Sequence, residues 1–221
     1  MKEHEKDEDR PILQLNGKTY IFSTRSIFIL ILFGPLLCFL IYLFLTLNIN
    51  YWIYELTTRH VVFFLNTIFN LNSEANIFTN HRIFPQVYIP NHPFNDIFSI
   101  TPDCIAAPVF GILIGLTICV PPSKDPLSRK SFNWRKAITL GMIVIIIYFL
   151  NVFRLVFLLY FTYIGIPFEF IHQSLFFLTA IVGAIIFIVI LHKFLPEIFI
   201  SLYYIYPLLK QNSKTDYINE K

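Results

Sequence analysis

The stretch from Ala137 to Tyr163, AITLGMIVIIIYFLNVFRLVFLLYFTY, decides the fold. It is longer than the roughly 20 apolar residues that cross a hydrocarbon core of about 30 Å, and its only charge is Arg154, with Asn151 one turn earlier. A run of this kind reads as a transmembrane helix. The residues beyond it, Ile164 to Ile171, hold no lysine or arginine, whereas the loop before it carries Lys124, Arg129, Lys130, Arg135 and Lys136 against Asp125. By the positive-inside rule the cationic loop is cytoplasmic, and the Tyr160/Tyr163 end lies at the outer interface.

Working outward, His172 to Leu191 reads as the following span, with His192-Lys193 and a lysine-bearing tail returned to the cytoplasm. Cys104 to Val120, closed by Pro121-Pro122, is a shorter apolar run just long enough to cross. Ser26 to Leu47 is a span with a kink expected at Pro35, and no small-x-small cleavage site follows it, so it reads as an uncleaved anchor. Tyr51 to Leu71 is apolar but carries Glu55, Arg59 and His60, which predicts an interfacial or partly inserted amphipathic helix with an i,i+4 pair between Glu55 and Arg59. Asn72 to Asp103 loses helical periodicity and alternates briefly at Gln86-Val87-Tyr88-Ile89, as an outer loop of weak strand content would.

The expected fold is therefore all-α: a polytopic bundle of four transmembrane helices, five if Tyr51 to Leu71 spans, over residues 26–195, flanked by cytoplasmic tails at 1–25 and 196–221. Composition agrees, since 56% of the 221 residues are hydrophobic and only 14% charged, too apolar a balance for a soluble domain. The net charge of +3 sits in short clusters beside apolar runs, an arrangement that orients helices and gives nucleic acid no basic face. Cys38, Cys104 and Cys119 are odd in number and lack paired spacing, so they form no disulfide framework.

Arg154 is the most informative residue, because a guanidinium within a span costs about 2.5 kcal/mol or more unless it finds a partner. It lies six residues below Tyr160, about 9 Å along a helix, within partial reach of the outer interface. Cys104 opens its run after Pro102-Asp103, and His172 opens the last span at the same level. A thiolate is the nucleophilic form of cysteine and is favoured by a nearby cation, so these three groups make a candidate nucleophilic site, with Asn151 beside Arg154 to orient it. His60, His81 and His92, with Asp96 or Asp103, follow no compact metal-ligand spacing, and no metal or cofactor is expected.

The order Cys104, then Asn151-Val152-Phe153-Arg154, then His172, each in or at the outer start of a span, resembles the Cys, Asn-x-x-Arg and His signature of the exosortase/archaeosortase family, over roughly Asn72 to Leu195. That family commonly follows its cysteine with a small polar residue and a glycine, where this chain has Cys104-Ile105-Ala106-Ala107. The resemblance implies a membrane cysteine protease or transpeptidase that cleaves carboxy-terminal sorting signals of exported proteins at the outer membrane face and passes the new end to an acceptor amine, a lipid among the candidates. It implies Cys104 as nucleophile, His172 as general acid/base, Arg154 as the group that stabilises thiolate or oxyanion, and Asn151 in support. The competing reading is a non-enzymatic membrane transport or assembly protein in which Arg154 contacts an anion or a partner helix.

Overall fold

The structure, a computed structural model, describes residues 13–15, 18–20, 22, 24–78, 84–93 and 97–203. His81 and Asp96 lie outside them. The described chain is mostly helical, and three of its helices are long and apolar enough to cross a membrane: Ile27–Thr46 within α1 (Thr24–Thr46), α5 (Phe132–Tyr163) and α6 (Phe168–Phe194). The run from Cys104 to Val120, read above as a further span, gives a helix only from Ala107 to Cys119, α3, because its first residues are spent in a turn. Thirteen residues extend about 20 Å, short of a hydrocarbon core. Tyr51–Phe69 forms α2 after a 3-10 turn at Asn48–Asn50, and Glu55 and Arg59 pair along it at 2.8 Å as their spacing predicts.

The chain divides into two compact units, 38–114 with 142–187 and 1–37 with 115–141 and 188–221. In the first, α2 packs on α5 through aromatic pairs, Phe64 on Phe153 and Phe69 stacked on Tyr160 at 3.8 Å between centroids. His60 Nδ1 lies 2.7 Å from the Tyr148 hydroxyl, joining the same two helices. A left-handed Asn70 ends α2, and the Asn66 side chain fastens the chain beyond by accepting from the backbone N–H and hydroxyl of Ser73 and donating to its carbonyl.

The segment read as an outer loop then forms a three-stranded antiparallel sheet, β3 (Glu74–Asn76), β4 (Gln86–Tyr88) and β5 (Ile97–Ser99). Val87 at its centre pairs with Ala75 and Phe98 and is fully buried. It joins a core with Tyr54, Val61, Leu65, Ile105, Val152 and Val156, so sheet, α2 and α5 share one apolar centre. Helices α1 and α3 approach closely at Gly111, where an added Cβ would stand 2.8 Å from the Cys38 carbonyl oxygen.

The second unit holds structure in the segment read as a cytoplasmic tail: an antiparallel hairpin of β1 (Leu13–Leu15) with β2 (Lys18–Tyr20). These short strands precede β3 in the chain. Tyr20 and Phe22, two apart and so on one face, are buried with Ile27 and Ile200. Residues 197–203 are helical, and the fully buried Glu197 receives Arg135 in a two-pronged ion pair, one prong at 3.1 Å. Lys136 donates to the carbonyls of Ile118 and Val120, satisfying acceptors that the end of α3 leaves open. Arg135 and Lys136, read from the sequence as loop residues, stand in the opening turns of α5 and hold the fold together, and Arg129 closes the short helix α4 (Pro126–Arg129).

Candidate functional site

Cys104 sits in a tight turn between β5 and α3. Its N–H and that of Ile105 both donate to the Thr101 carbonyl, at 2.9 and 3.2 Å, and those of Ala106 and Ala107 return to Asp103 and Pro102. Closing the turn puts Ala106 at φ 56°, the left-handed region that glycine occupies freely and alanine only with strain. This is the position at which the resembling family has glycine, so the backbone conformation is the one glycine would supply while the residue is not. The half-buried thiol accepts from the Thr101 hydroxyl at 3.4 Å and faces the Ser99 carbonyl at 3.8 Å.

Asn151 and Arg154 converge on this turn from α5. The Asn151 amide donates to the Cys104 carbonyl at 2.6 Å, and Arg154 Nη2 donates to the Asp103 carbonyl at 3.3 Å. Their three-residue spacing puts both on one helical face, and that face grips two successive carbonyls of the cysteine turn. Asn151 thus positions the Cys104 backbone, where the sequence pointed to it as a support for Arg154. The guanidinium is 8% exposed, and its Nε–H is buried with no hydrogen-bond partner in the structure.

His172 is half-buried on the second turn of α6, its ring stacked on Phe168 one turn earlier at 5.3 Å. Among the described residues no hydrogen bond joins it to Cys104 or Arg154. Its helical face continues through Phe176, Thr179 and Gly183, and these residues line an apolar cavity of about 180 Å³ together with Asn151 and Arg154. His172 therefore stands one helical turn before Phe176, the first α6 residue of a cavity that Asn151 and Arg154 also line. The structure bonds the cysteine turn to Asn151 and Arg154 and leaves the histidine at the margin.

Two other described histidines serve elsewhere. His60 bonds Tyr148, and the buried His92 lies 3.2 Å from the Thr162 hydroxyl and edge-on to Phe98. Sequence reasoning passed over Thr101, whose hydroxyl contacts the thiol, and the cavity itself. The signal for the cavity was the small-residue set Thr179, Ala180, Gly183 and Ala184 at helical spacing on α6. The chain matches no protein-family model, no curated protein and no solved structure, so the functional reading rests on its own residues and on the signature they resemble.

Proposed function

We propose that this chain is a multi-pass membrane cysteine transpeptidase, or a protease where water is the acceptor, similar to the exosortase/archaeosortase enzymes, with its site at the outer membrane face. The observation that carries the reading is the grip of Asn151 and Arg154 on the carbonyls of Cys104 and Asp103, which joins the cysteine and the Asn-x-x-Arg element of the resembling signature directly. In this topology α3, completed by its turn, counts as a fourth crossing, and α2 as a fifth if it inserts. The cationic loop at 124–136 lies in the cytoplasm.

In the proposed reaction His172 takes the thiol proton and the Cys104 sulfur bonds the carbonyl carbon of a substrate amide, making a tetrahedral oxyanion opposed by the Arg154 charge. Collapse breaks the carbon–nitrogen bond, and His172 returns its proton to the departing amine. An acceptor amine then adds to the thioester, gives its proton to His172 and expels the thiolate. For His172 to act, its ring leaves the Phe168 stack and approaches the cysteine turn when substrate binds.

The substrates on this reading are exported proteins that end in a sorting motif, a membrane helix and a basic tail. Expression of wild type, Cys104→Ala, Arg154→Gln and His172→Ala beside such a substrate, read by its intact carboxy-terminal mass, tests the reading: each variant loses processing. A chain in which Cys104→Ala processes normally while Arg154→Gln fails is instead the non-enzymatic membrane protein, a reading favoured by the unpartnered Nε–H of Arg154.

A further inference from the structure

The sheet runs β3-β4-β5, so among the described residues β5 is an edge strand. Antiparallel partners alternate between pairs that exchange backbone hydrogen bonds with each other and pairs that exchange none. Ile100 N–H donates to the Pro85 carbonyl at 2.8 Å, and these two residues are opposite one another when the register Gln86 to Ser99 is carried one residue further. The bonded pairs of the β4–β5 ladder are therefore Pro85 with Ile100 and Val87 with Phe98. Ser99 falls between them, so its N–H and its carbonyl point away from β4. The residue is exposed, and among the described residues nothing accepts from that N–H.

Where this edge leads is the second observation. The outward carbonyl of Ser99 is the one that the Cys104 thiol faces at 3.8 Å, so the sulfur stands on the open side of β5. Sheets commonly blunt an open edge with charge, proline or a bulge. Ile97-Phe98-Ser99 carries neither charge nor proline, and it pairs with β4 in regular register. An added strand lies about 4.8 Å from its neighbour and offers both an acceptor for the Ser99 N–H and a donor for its carbonyl. The carbonyl oxygen has two lone pairs and can accept from that donor while it faces the thiol. The amide paired with Ser99 and the Cys104 sulfur then flank the same oxygen.

We infer that β5 receives an extended segment of the peptide substrate as a fourth strand, paired through the Ser99 N–H and carbonyl, so that the sheet holds a backbone amide beside Cys104. This rests on the reading of Cys104 as the nucleophile. It assigns the holding of the substrate beside the thiol to main-chain hydrogen bonds, which any sequence without proline at the paired position can make.

The test alkylates the full chain in detergent with an acetylated trialanine chloromethyl ketone, whose methylene carbon bonds the Cys104 sulfur as chloride leaves, and separately with iodoacetamide, which has no strand to pair. Peptide mass gives both rates at Cys104, and their ratio measures what the strand adds, apart from the reactivity of the thiol. Replacing the alanine N–H groups by N-methyl one at a time lowers the ratio about tenfold at one position or more. Ser99→Pro removes the outward N–H and leaves the Phe98 and Ile100 bonds to β4 in place, as proline does on an edge strand, and it lowers the ratio by a similar factor. If Ser99→Pro does not fold, the methylated peptides on wild type decide. A ratio unmoved by methylation overturns the strand site, as does a Cys104 that neither reagent reaches. Normal processing by Cys104→Ala sinks the enzyme reading instead, and a ratio that still falls on methylation then leaves β5 as a peptide-binding edge.

Discussion

At the scale of single residues, the site is organised by which backbone groups its polar side chains hold. Asn151 and Arg154 spend donors on the carbonyls of the cysteine turn, and Ala106 accepts a left-handed backbone to close that turn. A left-handed alanine costs about 1–2 kcal/mol, so Ala106→Gly is expected to raise stability by about 1 kcal/mol once the greater freedom of glycine in the unfolded chain is counted. Thermal unfolding in one detergent checks it, and an unchanged or lowered midpoint would mean the turn carries no strain. The residues Cys104, Asn151 and Arg154 were legible as a set because polar groups inside apolar runs stand out. What each touches was not, because helical spacing fixes a side chain's face and leaves its partner on another element undetermined. The hydrogen bond from Thr101 to the thiol was invisible for the same reason.

At the scale of elements, the long helices were the most legible part. The runs read as Ser26–Leu47, Ala137–Tyr163 and His172–Leu191 correspond to α1, α5 and α6, whose apolar length alone specifies them. The alternation at 86–89 likewise pointed to β4. The start of α3 was misjudged, because apolarity continues through Ile105 and Ala106 while the backbone is still turning. The amino-terminal hairpin was missed although Asn16-Gly17 stands between its two strands, a dipeptide that signals a two-residue connection. Contact between α1 and α3 depends on Gly111: the Cβ of Gly111→Ala meets a backbone oxygen that no rotamer change can move. That substitution is expected to cost about 1–3 kcal/mol, read as a lowered unfolding midpoint, whereas Gly141→Ala, inside α5 with open space around it, is expected to raise the midpoint through the better helix propensity of alanine. Equal midpoints for the two variants would refute the close approach.

At the scale of the whole molecule, charge is scarce and much of it is committed. Glu197 is fully buried against Arg135, and breaking such a pair from one side leaves the other charge uncompensated, so Glu197→Ala is expected to lose about 3–5 kcal/mol and with it much of the folded yield. Size-exclusion recovery against wild type reads this directly, and full recovery would contradict it. Arg154 is the buried cation without a carboxylate in contact among the described residues, and on the enzyme reading its charge serves the oxyanion formed at Cys104.

The central claim, that Cys104 is a covalent nucleophile, is tested most directly by acid-quenching the full chain during turnover of a tripartite substrate and measuring the mass of the peptide that contains Cys104. The account predicts an added substrate mass on that peptide, released by hydroxylamine as a thioester must be, and absent in Cys104→Ala together with all processing. An unmodified Cys104 peptide in a turning-over sample, with processing intact in Cys104→Ala, would contradict it.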